Sequence, residues 1–267
     1  MPTTRYHVLA YNISHNSENK IHDDTVAKKF GFTGGLVPGV DIYAYMMHVA
    51  VGRWGRAFLE HGTAECRLLK PVYDGDIAEI SGEDSPDRTV IDVHSKGIHC
   101  ATGWASLPEA IAAPALDSFA PATPPAMEAR PPATAANISI GGAFSPNPLE
   151  VTPQWSTDYL RDIRERAPIY AEEGIVHPGI ILRMCNWSLS HSVLLGPWIH
   201  VGSKVRNHSV ARVGETLTAR ARVTDNYDRK GHLFVDLDVL VLANGTRPVA
   251  HVAHTAIYRP RQLAEAA

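Results

Sequence analysis

This chain of 267 residues has little cysteine: only Cys66, Cys100 and Cys185. Three scattered cysteines are too few for a disulfide framework or for a structural zinc site. The sequence also lacks a glycine-rich dinucleotide-binding loop and any cluster of residues with metal-ligand spacing. We therefore expect neither a metal nor a redox cofactor.

Charge of one sign and long apolar runs are also missing. The formal net charge of −3 offers no electrostatic basis for binding nucleic acid or an anionic membrane surface. Residues 1–7 contain no apolar signal core, and no stretch is apolar for long enough to span a bilayer. With 45% hydrophobic and 20% charged residues, the composition is typical of a soluble globular protein, and we expect it in the cytoplasm.

What the sequence does contain is a repeat. A Pro-Gly pair opens an apolar run at Pro38-Gly39 and again at Pro178-Gly179, 140 residues later. Downstream of each, a strand-like segment ends in glycine and an acid, at Gly75-Asp76 and at Gly214-Glu215, 139 residues apart. Two markers that keep one offset in the same order indicate a tandem duplication. The two copies of such a duplication usually share one active site or divide its work.

A proline-rich segment separates the two copies. Nine of the 19 prolines lie between Pro108 and Pro148. Proline fixes φ and lacks a backbone donor, which excludes a regular helix or a central strand there. We predict a first half over residues 1–107, a linker over 108–148 that runs over the surface, and a second half over 149–267.

Each half follows the same pattern of elements. Its Pro-Gly pair starts a helix that is apolar nearly all round, over residues 40–54 and 180–195, as expected for a helix covered by other structure. Strand-like segments follow, and residues 235–239 alternate apolar and polar side chains with a period of two. The strands are predicted over residues 77–82, 89–94 and 99–107 in the first half, and over 216–224, 232–242 and 248–258 in the second.

This order predicts an α+β architecture with two antiparallel sheets, each wrapped around a central helix. A small sheet leaves an edge strand exposed, and pairing the two halves edge to edge would remove that exposure. We therefore expect a pseudo-dimer with one continuous sheet. Whether two chains also pair as a homodimer through the remaining edges is left open.

The polar segment over residues 16–32 carries the most specific signal. It resembles the signature of the MaoC-like (R)-specific enoyl-CoA hydratases and dehydratases, Asp-x-Asn-Pro-x-His-x-Asp, then Ala, then Gly-Phe, and later Ile-x-His-Gly. The resemblance covers most of residues 10–107, and the second half resembles a diverged second copy. At the matching spacings this chain has Asn19, His22, Asp24, Ala27, Gly31-Phe32 and Leu36-x-Pro38-Gly39.

The resemblance implies a double hotdog fold and a hydro-lyase that adds or removes water across a 2-enoyl or 3-hydroxyacyl thioester. CoA or a carrier protein would carry the acyl group, and fatty acid metabolism would be the setting. Two family positions differ, because Ser17 stands in place of the catalytic Asp and Pro38 in place of the His before the helix glycine. The second half has no His–Asp pair, so one partial site remains, in the first half.

Hydration of such a thioester needs proton transfer and a donor to the carbonyl oxygen. The resemblance implies that His22 transfers protons, while Asn19 and Ser17 orient water and substrate. The Gly39 N–H, at a helix start, would hold the carbonyl oxygen. We predict that Val37, Tyr43 and His177 complete the substrate-binding surface, His177 from the second half.

Two alternatives remain open at this stage. Without an Asp at position 17, the site could hydrolyse an acyl thioester or carry out an altered dehydration or cyclisation. The chain could also be a non-catalytic acyl-binding or assembly subunit that kept the acyl-binding tunnel and lost the His–Asp pair. One fold hosts many reactions, so the resemblance does not choose between them.

Overall fold

Both predicted central helices are present in the computed structural model, which describes residues 3–265. The outermost residues of the two predicted halves, 1–2 and 266–267, lie outside this range. No helix among the described residues is both long and apolar enough to cross a membrane. The helices are α1 (Asp24–Lys29), α2 (Gly39–His61), α3 (Pro153–Asp162), α4 (Ile169–Glu172), α5 (Pro178–Ser190) and α6 (Gln262–Glu265).

The described strands form one antiparallel sheet, in the order β1-β3-β4-β5-β2-β8-β11-β10-β9-β6, with β7 also pairing with β9. The first half supplies β1 (Thr3–Leu9), β2 (Thr63–Leu68), β3 (Ile77–Asp84), β4 (Thr89–Ser95) and β5 (Ile98–Ser106). The rest of the chain supplies β6 (Ala143–Phe144), β7 (Leu149–Glu150), β8 (Ile199–Asn207), β9 (Thr216–Arg229), β10 (His232–Ala243) and β11 (Arg247–Arg259).

The two halves meet edge to edge, as predicted. Strand β2 pairs antiparallel with β8, with Thr63 opposite Arg206 and Arg67 opposite Gly202. This pairing removes one exposed edge from each half and makes the sheet continuous. The α+β architecture and the pseudo-dimer arrangement are confirmed.

Helix α2 is longer than the sequence pattern indicated. The helix is broken at Gly55, where φ is 55°, directly after the predicted end at residue 54, and a second helical stretch then continues to His61. Glycine has no Cβ and adopts this conformation without steric cost. Helix α5 ends at Ser190, five residues before the predicted end. The buried residues of α2 and α5 join one main hydrophobic core with the inner face of the sheet.

The linker does more than connect the halves. It contains two 3₁₀ turns, Leu116–Ser118 and Met127–Ala129, as well as the edge strand β6. Phe119 is 2% exposed and packs with Leu240 and Leu242 of β10 in a separate small cluster. The linker therefore covers apolar side chains that the main core does not enclose.

Candidate functional site

A cleft lies at the junction of the two halves, beside the start of α2, and we call it the junction cleft. It has a polar arm of about 480 Å³ and an apolar arm of about 250 Å³. Ligand pockets in proteins usually span roughly 300–1,000 Å³, so the cleft suits a small organic ligand. Five residues line both arms: Asn19, His22, Pro38, Asn186 and Trp198.

His22 lies where the two arms meet. Its Nδ1 is 2.7 Å from the Leu36 carbonyl oxygen. A carbonyl oxygen only accepts hydrogen bonds, so Nδ1 carries the proton and Nε2 keeps a lone pair. Nε2 has no hydrogen bond to any described residue. Burial lowers the pKa of His22 to about 4, so the imidazole is neutral at pH 7 and Nε2 is free to accept a proton.

The other two predicted polar residues lie in the same wall of the cleft. The Ser17 hydroxyl lines the polar arm and donates to the Asn19 carbonyl oxygen at 3.2 Å. The Asn19 Oδ1 accepts from the Trp198 N–H at 3.2 Å, and its Nδ2 donates to the Trp198 carbonyl at 3.0 Å. The Asn19 amide therefore ties the first half to the chain just before β8. That either residue orients water stays a prediction.

The start of α2 borders the apolar arm. No side chain caps this end of the helix, and the Gly39 N–H, in the first turn, has no intrahelical acceptor. The end of the helix also carries partial positive charge, which favours a carbonyl oxygen or an anion. A Cβ at position 39 would collide with the Leu68 side chain, so Leu68 packs directly against Gly39 and only glycine fits there. Val37 lines the same arm, and its N–H donates to the Val72 carbonyl at 2.9 Å.

Two residues predicted to bind substrate lie away from the cleft. Tyr43 is 1% exposed in the main core, and burial raises the pKa of its hydroxyl well above 10. His177 is completely buried. Its Nδ1 accepts from the Gly179 N–H at 3.1 Å and caps α5, while Nε2 lies 3.3 Å from the Glu165 carboxylate. Both side chains are enclosed within the protein, and neither lines the junction cleft.

The equivalent helix start in the second half is closed. His177 caps α5, and a Cβ at Gly179 would collide with the Tyr159 hydroxyl. Tyr159 is 3% exposed and donates a hydrogen bond to Asp41 Oδ1 at 3.0 Å. The Gly179 N–H is already bonded to His177, whereas Gly39 lines the apolar arm and its helix start has no side-chain cap. The accessible helix start belongs to the first half.

A buried ion pair joins the two central helices next to the cleft. Nη2 of Arg183 on α5 lies 2.8 Å and 3.1 Å from the two carboxylate oxygens of Asp41 on α2. Burial raises the pKa of Asp41, while the positive charge of Arg183 opposes that shift. Arg183 also lines the polar arm, where its Nε is buried without a hydrogen-bond partner.

The second half supplies cleft residues that the sequence analysis missed. Asn186 lines both arms, and its Oδ1 is buried without a hydrogen-bond partner. Arg183, Asn186 and Ser190 all line the polar arm, and their spacing of i, i+3 and i+7 places them on one face of α5. A polar stripe on an otherwise apolar helix was the signal that could have identified them.

Comparison with known proteins addresses the fold. No family model matches the chain, and no curated protein matches it. Solved structures do match over nearly the full length. A Mycobacterium tuberculosis protein described as having a double hotdog fold superposes with a TM-score of 0.66 at 12% identity, over 96% of this chain and 95% of that one.

Two further matches carry the MaoC name. A MaoC domain protein from Chloroflexus aurantiacus J-10-fl gives a TM-score of 0.60 at 14% identity, over 97% of this chain and 95% of that one. A MaoC-like dehydratase gives 0.56 at 13% identity, over 97% and 98%. The double hotdog fold is confirmed, and so is the resemblance to MaoC-like proteins at the level of fold.

Proposed function

We propose that this protein is a hydro-lyase of the MaoC-like type, acting at the junction cleft on a 2-enoyl or 3-hydroxyacyl thioester. The observation that carries the proposal is the placement of His22. His22 lines the cleft that Gly39 also lines, its Nδ1–H is held by the Leu36 carbonyl, and its Nε2 has no hydrogen bond to any described residue. A base and a backbone donor to a carbonyl oxygen are the two groups that hydration requires.

The proposed hydration step starts with His22 Nε2. It removes a proton from water as the water oxygen bonds to the β-carbon, and the electron pair of the double bond moves onto the thioester carbonyl. The Gly39 N–H stabilises the resulting enolate oxygen. The imidazolium then returns the proton to the α-carbon, so that one water is added and His22 is regenerated.

The low pKa of His22 supports both stages of this cycle. A pKa of about 4 keeps the imidazole unprotonated before the reaction at neutral pH. The same burial makes the transient imidazolium a strong acid, which favours delivery of its proton to carbon. The low pKa also makes His22 Nε2 a weaker base. The reaction therefore depends on a β-carbon that is already activated by the interaction of the thioester carbonyl with Gly39.

Polar side chains from both halves would position water and substrate. Ser17 and Asn19 come from the first half, and Arg183 and Asn186 from the second. Arg183 is paired with Asp41, so it borders the polar arm as part of an ion pair rather than as an isolated charge. These donors fit a polar substrate portion, such as the thioester and the amides of its carrier.

The test is the hydration of a series of 2-enoyl-CoA thioesters, followed by loss of the conjugated absorbance. His22→Asn places an amide donor where Nδ1 stood and so keeps the contact to Leu36, but it removes the Nε2 base. We expect kcat/KM to fall about 10²–10⁴-fold. His61→Asn is the matched control, because His61 Nδ1 also bonds a backbone carbonyl, that of Pro108 at 3.0 Å, away from the cleft.

The results separate the remaining functions. Full activity in His22→Asn would contradict the role of His22. Release of free thiol at the rate of absorbance loss would indicate thioester hydrolysis instead of hydration. Tight binding of acyl-CoA without turnover on any chain length would favour the non-catalytic acyl-binding protein.

A further inference from the structure

Three buried polar residues behind the apolar arm have no place in the proposed reaction. His200 on β8 and His254 on β11 stack with ring centroids 4.4 Å apart. The Ser203 hydroxyl lies between them, 2.9 Å from His200 Nε2 and 2.9 Å from His254 Nδ1. All three residues are less than 7% exposed. Together they form a hydrogen-bonded chain inside the protein, which we call the His–Ser–His chain.

The His–Ser–His chain couples the tautomers of the two histidines. Burial lowers the pKa of His200 to about 4 and that of His254 well below 6.5, so both rings are neutral at pH 7. A serine hydroxyl has one proton to donate. If Ser203 donates to His200 Nε2, then His254 Nδ1 donates to Ser203 and His200 carries its own proton on Nδ1. If Ser203 donates to His254, His200 Nδ1 bears a lone pair instead.

The His200 end of the His–Ser–His chain faces the start of α2. His200 Nδ1 is buried and has no hydrogen-bond partner. It would lie 2.9 Å from a Cβ placed on Gly39, and both residues line the apolar arm. Buried polar groups in folded proteins are nearly always hydrogen-bonded, so an unpaired nitrogen beside the cleft points to a partner that arrives with the ligand.

We infer that His200 is a second donor to the carbonyl oxygen of the bound acyl group, acting beside the Gly39 N–H through its Nδ1–H. Ser203 and His254 are positioning residues that hold His200 in the Nδ1–H tautomer. The inference rests on the proposed function in one respect, that the ligand of the cleft is an acyl thioester. It extends that function by assigning the carbonyl two donors, one from each half of the chain.

Two unreactive ligands isolate the carbonyl contact in the full-length protein. Butanoyl-CoA has the thioester carbonyl and no double bond to hydrate, whereas the thioether butyl-CoA lacks the carbonyl. Their dissociation constants are measured by titration calorimetry for wild type and two variants. His200→Gln keeps a polar atom near Nε2 and loses Nδ1, and His200→Asn keeps a donor near Nδ1.

We expect His200→Gln to weaken binding of butanoyl-CoA about fivefold to tenfold, in the upper part of the usual range for one hydrogen bond, without changing the binding of butyl-CoA. His200→Asn should restore butanoyl-CoA binding to within about twofold of wild type. Equal weakening of both ligands in His200→Gln, or no weakening of either, would overturn the inference. Failure of the wild type to bind either compound would overturn it together with the acyl-thioester assignment.

If a His200 variant does not fold, a second measurement on wild-type protein tests the inference. In wild-type protein labelled with ¹⁵N-histidine, the His200 Nδ1 resonance should show a protonated nitrogen and should shift with butanoyl-CoA but not with butyl-CoA. An Nδ1 that stays unprotonated, or shifts equally with both, contradicts the proposed donor. Carbonyl-dependent binding without hydration of any 2-enoyl-CoA would support His200 as a donor while rejecting the hydro-lyase.

Discussion

Replacing Arg183 with methionine should destabilise the protein strongly at neutral pH. Methionine is of similar length, so the change removes the charge and leaves most of the packing. Asp41, which is 0% exposed, would keep only the Tyr159 hydroxyl as a donor. Removing one partner of a buried ion pair typically costs about 3–5 kcal/mol, because the other charge stays buried without compensation.

Protonation of Asp41 limits this cost and makes it depend on pH. Starting from an ordinary pKa of 3.8, neutralising the carboxyl costs about 1.36 kcal/mol per pH unit, or about 4 kcal/mol at pH 7 and about 2 kcal/mol at pH 5. In Arg183→Met the folded state holds this proton more tightly than the unfolded state. Folding of Arg183→Met is therefore favoured as pH falls toward 3.8. The loss of unfolding free energy relative to wild type should be about half as large at pH 5 as at pH 7.

Thermal unfolding at both pH values measures the effect, with wild type as the reference at each. For 267 residues and about 2.1 cal/mol/K of unfolding entropy per residue, a loss of about 4 kcal/mol lowers Tm by about 7 °C. Arg161→Met is the matched control, since Arg161 pairs with Asp158 on the surface and such pairs contribute about 0–1 kcal/mol.

The double variant Arg183→Met/Asp41→Asn completes the test. An asparagine side chain at position 41 needs no counter-ion and can still accept from Tyr159. The double variant should therefore regain stability relative to Arg183→Met and should show no pH dependence of its stability loss between pH 5 and 7. An Arg183→Met variant that loses the same stability at both pH values would refute the reasoning. So would a double variant as unstable as the single one.

Two further predictions concern the cleft and the core. Between pH 7 and pH 5, wild type should lose about 2 kcal/mol of stability relative to His22→Asn, because the pKa of His22 rises from about 4 to 6.5 on unfolding and the unfolded state takes up the proton first. Urea unfolding of both proteins at both pH values measures this difference. Equal losses of stability in wild type and His22→Asn would contradict the prediction. Tyr43→Phe should lower stability by less than about 1 kcal/mol and leave ligand binding unchanged, because the buried hydroxyl has no hydrogen-bond partner. A loss above about 2 kcal/mol in thermal unfolding would show that this hydroxyl is bonded.

Two of the predicted site residues, Tyr43 and His177, do not line the junction cleft. Both residues lie close in sequence to the two helix starts, but sequence distance does not determine the direction of a side chain. Tyr43 turns into the core on the inner face of α2, and His177 is held by Gly179 and Glu165. Asn186 was missed for the opposite reason, since it is far from the motif in sequence and lines the same cleft as His22.

The sequence alone determined the features that depend on local pattern and on order along the chain. The offset of 140 residues between Pro-Gly pairs predicted the duplication, apolar periodicity predicted the two central helices, and the motif over residues 16–32 pointed to His22. Each of these signals lies within one element or repeats at a fixed interval. Such patterns predict local structure without knowledge of the rest of the fold, because hydrophobic burial and backbone geometry impose the same periodicities in every protein.

The tertiary structure alone decided which residues meet at the cleft and which half keeps it open. Arg183 reaches Asp41 across 142 positions, Asn19 reaches Trp198 across 179, and His200 comes to lie against Gly39. The contacts of Arg183 and His200 join the two halves of the chain, through the pairing of β2 with β8 and the packing of α2 with α5. No sequence periodicity predicts these contacts, because they depend on how closely the two halves pack against each other.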